Sequence, residues 1–155
     1  MDATALHDRK FFIVSGKSKS GASTWCSALA CSASKSLNSV LVLDFSKNAD
    51  IAYTLKECNV LFNTVTMKEL LQHDTRADNS FDVLTPCNDK EYHQRINFIR
   101  KLTTLGVSKY DSVFVLTELD DLADVVPVLS LEIKKVILTL VPRYTDIIEL
   151  QEFID

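Results

Sequence analysis

Short, uninterrupted apolar runs alternate along the chain with longer stretches in which apolar residues recur every third or fourth position. Phe11-Phe12-Ile13-Val14, Val40-Leu41-Val42-Leu43 and Val113-Phe114-Val115-Leu116 are continuous rather than alternating, as strands covered on both faces should be. Residues 81–84, stopped by Pro86, and residues 136–141 read as two further strands. Between the first two runs, residues 23–37 are rich in Ala, Ser and Leu. Trp25, Leu29 and Ala33 fall at i, i+4 and i+8 there, which predicts a helix with one packed stripe. Residues 50–56 and 66–73 predict short helices, the second opened by Thr66 as N-cap with Glu69 three residues on. From Asn88 or Asp89 to Leu105, the positions Tyr92, Ile96, Ile99 and Leu102 keep a helical period, and Gly106 stands at the expected C-terminus. A helix disturbed by Pro127 is predicted over residues 122–131, and Thr145 can cap a last one whose Ile148, Leu150 and Phe153 offer an apolar face.

Strand and helix alternating in this way predict a single α/β domain over residues 1–155. The expected architecture is a doubly wound, mainly parallel sheet of about five or more strands with helices on both faces. No repeat, linker or low-complexity segment divides it. With 46% hydrophobic and 25% charged residues, the chain can hold a core without metal or disulfide support. The charge balance, 17 Lys plus Arg against 21 Asp plus Glu, includes no basic run, so nucleic acid is set aside as a ligand. Polar residues at the N-terminus do not form a signal peptide and no apolar run reaches membrane-spanning length, which predicts a cytoplasmic protein without direct membrane insertion. Cys26, Cys31, Cys58 and Cys87 form no C-x-x-C pair and read as reduced, mostly buried thiols. His73 and His93 have no second ligand at metal spacing, so no metal is expected.

Ligands of such sheets bind at the carboxyl ends of the strands, which directs attention to the turn after the first one. It reads Ser15-Gly16-Lys17-Ser18-Lys19-Ser20-Gly21-Ala22-Ser23-Thr24. A phosphate loop curls backbone N–H groups round the anion at a helix N-terminus and ends in Gly-Lys-Ser/Thr. Its Lys reaches the β- and γ-phosphates and its hydroxyl holds Mg²⁺. Here the frame is kept and Ala22 stands where the Lys should be.

The stretch from Lys17 to Thr24 resembles the deviant Walker A loop of the ParA/MinD group, and Ile13 to Thr24 equally resembles that of the bacterial tyrosine kinases of capsule and exopolysaccharide export. Leu41-Val42-Leu43-Asp44-Phe45-Ser46 matches the family's acidic second strand with its second Asp replaced by Ser46. Tyr110-Asp111-Ser112-Val113-Phe114-Val115-Leu116-Thr117 follows its Walker B strand with Leu116 in place of the Asp. Residues 135–141 with Pro142-Arg143 look like the next strand and turn. The resemblance implies a P-loop NTPase-like fold, while Ala22, Ser46 and Leu116 remove groups on which phosphoryl transfer depends.

The resulting expectation is a non-catalytic pseudo-ATPase or pseudo-kinase domain with no cofactor beyond weak ATP or ADP binding. It would act as a protein scaffold or regulator in bacterial exopolysaccharide, cellulose or capsule secretion, as a homodimer or beside an active paralogue, recruited to the inner membrane by partners. The alternatives are a nucleotide-binding switch without fast turnover in pilus assembly, and a spatial regulator of division or flagella. The loop remnant available for a nucleotide or a dimer contact is Lys17, Lys19, Ser20, Gly21, Ser23 and Thr24, together with Asp44, and Trp25 is the interface candidate. Two solvated loop lysines are the plainer reading of Lys17 and Lys19, and Asp44 reads as well as a cap at the strand end. The acidic stretch from Glu118 to Asp121 with Asp124 reads as a solvated loop and helix N-terminus.

Overall fold

The computed structural model describes residues 9–17, 20–36, 38–72, 80–105, 107, 109–130, 132–140, 148, 151, 152 and 154. Among them six strands form one sheet: β1 (Phe11–Gly16), β2 (Val40–Phe45), β3 (Asn63–Val65), β4 (Phe81–Leu84), β5 (Ser112–Glu118) and β6 (Ile133–Thr139). Their order is β3-β4-β2-β5-β1-β6, and every pairing is parallel. The helices between them are α1 (Ala22–Lys35), α2 (Ile51–Glu57), α3 (Met67–Leu71), α4 (Asp89–His93), α5 (Arg95–Leu105) and α6 (Leu122–Leu129), the last preceded by a 3₁₀ turn over Leu119–Asp121.

Successive strand residues face opposite sides of a sheet, so each continuous apolar run feeds two cores. Ile13, Leu41, Leu43, Val113 and Val115 pack with Phe98 and Leu102 of α5 and Leu122 and Leu129 of α6. Their neighbours Val14, Val40, Val42, Phe114 and Leu116 pack on the other face with Cys26 and Ala30 of α1 and Ile51 and Leu55 of α2. The doubly wound architecture expected from the sequence is therefore present, with one strand more than the five runs suggested. The extra one, β3, has three residues with only Val65 buried, too short to show a period.

Three local expectations are corrected. The helix predicted from residue 88 or 89 to 105 is two, broken at Gln94, whose N–H is shared between the Lys90 and Glu91 carbonyls at 3.1 and 3.0 Å. Arg95 folds back over the break: its guanidinium donates to the Tyr92 carbonyl at 2.8 Å, lies 4.1 Å above the Tyr92 ring and pairs with Asp121 at 2.8 Å. The last strand begins at Ile133 rather than residue 136, because β1 pairs with it from Phe11↔Ile133 to Gly16↔Thr139. Exposed Lys134 and Lys135 interrupt the apolar run there, as an outer strand permits. The stripe of α1 consists of Cys26, Leu29, Ala30 and Ala33, and Trp25 stands outside it at 58% exposure. The residues proposed to cap and open the last helix lie outside the described set. Within that segment residues 148, 151, 152 and 154 are helical.

Polar side chains tie the amino ends of the central strands together. The Tyr110 hydroxyl donates to fully buried Asp82 at 2.5 Å, and Asp82 also accepts from Asn63 at 3.1 Å and Ser80 at 3.3 Å. Asp111 accepts from the Ser39 N–H at 2.8 Å while its own N–H donates to the Ser39 carbonyl at 2.9 Å. The Tyr-Asp pair at the head of β5 thus positions strands and lies far from any loop at their carboxyl ends. Tyr110→Phe removes one donor from a buried carboxylate and is expected to cost about 1–3 kcal/mol in urea denaturation with an unchanged m-value; an unaltered midpoint would show the hydroxyl to be idle.

Candidate functional site

In the sheet β5 lies between β2 and β1, so the loops after β1 and β2 rise on either side of its carboxyl end. They enclose an open cleft of about 260 Å³. One wall is Lys17, Gly21, Ala22, Ser23 and Thr24; the other is Ser46, Asn48 and Asp50; the floor is Leu116, Thr117 and Glu118.

The first wall is shaped by its two glycines. Gly21 is the N-cap of α1 with φ +87°, a left-handed conformation that side chains rarely adopt, and no side chain caps the helix. The first N–H groups of α1 and the positive end of its dipole are therefore at the cleft. Gly16 leaves room for a bond across the loop: Ser20 and Thr139 share a hydrogen bond of 2.7 Å between hydroxyls, and a Cβ on Gly16 would strike both side chains and come 2.8 Å from the Thr139 carbonyl oxygen. Ser20 is thus spent on β6 and does not line the cleft.

The opposite wall is built on Asp44, which is fully buried at the end of β2. Its carboxylate accepts from the Ser46 hydroxyl at 2.6 Å, the Ser46 N–H at 3.2 Å and the Ile51 N–H at 3.1 Å, and the Ser46 hydroxyl in turn accepts from the Ala49 N–H at 3.2 Å. The chain between them makes a tight return, with Ala49 at φ 51°. Burial pushes the Asp44 carboxyl above its ordinary value of 3.8, nearby Asp50 adds to the rise, and the three hydrogen bonds oppose it. Asp44 therefore acts beneath the cleft, holding the start of α2.

Asp50 occupies the N-cap position of α2 with no side-chain cap hydrogen bond; it is exposed and lines the cleft. Glu118 lies two residues beyond Leu116, hence on the same side of β5, and accepts from the Lys47 N–H at 2.9 Å. Between them Thr117 is 2% exposed and its hydroxyl has no hydrogen-bond partner. Asn48, Asp50, Thr117 and Glu118 were not singled out as site residues from the sequence. The two-residue offset from Leu116 was the signal that could have placed Glu118.

Of the residues anticipated from the sequence, the cleft gathers Lys17, Gly21, Ser23 and Thr24, with Ala22, Ser46 and Leu116 at the altered positions. Ser20 and Asp44 support it from outside, Trp25 is exposed one turn beyond Gly21, and Lys19 and His73 lie outside the described residues. The cysteines are free, but only Cys26 is buried; Cys58 and Cys87 are exposed, since each sits at the end of a short surface helix or loop rather than in a core. Among the described residues, no group of three or more His, Cys, Asp or Glu converges as metal ligands, and no helix is long and apolar enough to cross a membrane.

An all-parallel sheet with a glycine-bounded loop entering a helix at the carboxyl end of its first strand is the fold of the P-loop NTPases. Two solved structures share it. The kinase domain of the Escherichia coli tyrosine kinase ETK superposes with a TM-score of 0.57 at 20% identity, over 99% of this chain and 63% of that one. A protein described as a plasmid partition protein of Borrelia burgdorferi B31, bound to AMPPNP, does so with a TM-score of 0.58 at 18% identity, over 94% of this chain and 68% of that one. The likeness is one of fold. No family model matches the chain, and no curated protein matches it in sequence.

The raised carboxyl of Asp44 gives a test of the second wall. A carboxyl group with a raised folded-state pKa holds its proton more readily in the folded than in the unfolded chain. Its contribution is favourable at low pH and is lost as pH rises from the ordinary 3.8 through the raised value. Relative to Asp44→Asn, the wild-type protein should gain stability on acidification from neutrality towards about pH 4. Urea denaturation at a series of pH values would show this, and parallel profiles for the two proteins would refute it.

Proposed function

We propose that this chain is a non-catalytic P-loop-type domain that works by holding other proteins. The observation that supports it is the cleft itself: Ala22 and Leu116 both line it, at the positions where the resemblance places the phosphate-binding Lys and the Walker B Asp. Phosphoryl transfer is almost entirely charge stabilisation and positioning, and rate enhancements of about 10⁶-fold or more rest on such groups. The Leu116 side chain, 1% exposed, has nothing with which to hold Mg²⁺ or orient water at that position. The wider resemblance favours bacterial exopolysaccharide, cellulose or capsule secretion as the setting, in a homodimer or beside an active paralogue, with exposed Trp25 at the contact.

A nucleotide-binding switch is the second reading, favoured by the left-handed Gly21 and the α1 N-terminus it opens. Thermal denaturation with Mg-ATP, Mg-ADP and Mg-GTP at millimolar concentration separates the two. A bound nucleotide at 100 times its Kd would add about 2.7 kcal/mol and several degrees, whereas the proposed domain should show no shift and no phosphate release. The double substitution Ala22→Lys with Leu116→Asp is expected to lower stability, since it buries a carboxylate in an apolar floor, but to gain a shift with Mg-ATP. Nucleotide turnover by the unaltered chain would overturn the proposal.

A further inference from the structure

Away from the cleft, α3 packs beside α5, and the two helices leave a groove of about 430 Å³. It is lined by Leu71 of α3 and by Arg100, Lys101, Thr104 and Leu105 of α5. Phe98, Ile99 and Leu102 are the buried residues of α5, so the groove takes the outward flank of that helix, where Leu105 is 42% exposed. Two leucines and the alkyl stems of Arg100 and Lys101 make the groove apolar, with the two cationic heads at its edge. Among the described residues neither cation is paired with a carboxylate; Arg100 donates to the Asn97 side chain at 3.2 Å. The chain also carries the complement of this groove. From residue 145 to 155 it has Asp146, Glu149, Glu152 and Asp155 and no Lys or Arg. Residues 148, 151, 152 and 154 of that segment are helical, and Ile148, 38% exposed, and exposed Glu152 fall at i and i+4 on one helix face. An aliphatic side chain and an acid one turn apart match a groove of leucines edged by cations.

We infer that the groove receives the last helix of a second copy of this chain, with Ile148 seated between Leu71 and Leu105 and Glu152 paired with Arg100 and Lys101. The inference rests on the self-association proposed above and assigns it a surface; no residue of the groove lines the cleft. The occupant comes from another copy because Ile148 is exposed in its own chain. The last helix also follows β6 at one edge of the sheet while α3 follows β3 at the other, five strand spacings or about 24 Å away. Each copy can give its helix and take its partner's, so the contact closes about a two-fold axis into a dimer. Seating the isoleucine excludes water from the edge, which strengthens the ion pair beyond that of an exposed one.

The test is sedimentation equilibrium of the full chain from micromolar to near-millimolar concentration, with circular dichroism to establish that each variant keeps its fold. The unaltered chain should form a dimer. Arg100→Glu with Lys101→Glu should weaken it about tenfold or more, and so should Glu152→Lys, since each sets like charges against one another in both contacts. All three side chains are exposed, so the changes leave the core intact. Mixing the two variants in equal amounts should restore the dimer, because each groove then meets a helix of opposite charge. A monomer throughout, a dimer that ignores the reversals, or no restoration on mixing would overturn the inference while leaving a non-catalytic domain that holds other proteins standing. A dimer lost on Trp25→Ala but kept through the reversals would overturn it in favour of a contact beside the cleft. The measurements with Mg-ATP decide the non-catalytic reading separately, since none of these substitutions alters the cleft.

Discussion

The cleft depends on one buried charge. Asp44 is withdrawn from water at the end of β2, and a carboxylate there is tolerable only while donors surround it. Those donors are the Ser46 N–H, the Ser46 hydroxyl and the Ile51 N–H, so satisfying the charge fixes the return of the chain from β2 into α2. Everything on the second wall follows from that. The Ser46 hydroxyl takes the N–H of Ala49, which has positive φ, and Asp50, which makes no side-chain cap bond, lines the cleft.

The same bond gives a physical reason for Ser46. A hydroxyl can donate to Asp44 and accept from Ala49 at once. A carboxylate at position 46 could accept from Ala49 but could not donate to Asp44; it would set two like charges in contact and call for a cation between them. With Ser46 the wall closes without one. The loop after β1 closes in a comparable way, by a hydroxyl pair between Ser20 and Thr139. Among the described residues, both loops are thus tied by hydroxyl hydrogen bonds internal to the chain.

The fold was legible where period and register speak plainly. Continuous apolar runs named β1, β2, β4 and β5, and Thr66 capped α3 through the Glu69 N–H as its spacing implied. What escaped was decided by tertiary partners: the break at Gln94 follows from an arginine paired with Asp121 of a different segment, and β6 begins early because β1 supplies its register. The site divides in the same manner. The β1 wall was readable as a contiguous motif, whereas the β2 wall and the floor draw on residues from separate segments whose approach depends on strand order. Asp50 read only as the first residue of a short helix, and Glu118 as a member of a solvated acidic run, until strand order brought both to one cleft.

Ala22, Ser46 and Leu116 are therefore better understood together than singly. Each puts a neutral group where the resembling loops and strands place a charged one, and each neutral group has a local role in this chain: Leu116 completes the core under α1 and α2, Ser46 satisfies Asp44, and Ala22 begins α1 beside a glycine N-cap. With these residues in place, the buried carboxyl at the base of the cleft, Asp44, is met by three hydrogen bonds. Asp50 and Glu118 also line the cleft, and both reach water there. The walls of the cleft are thus held by bonds within the chain, from Asp44 to the start of α2 and from Ser20 to β6.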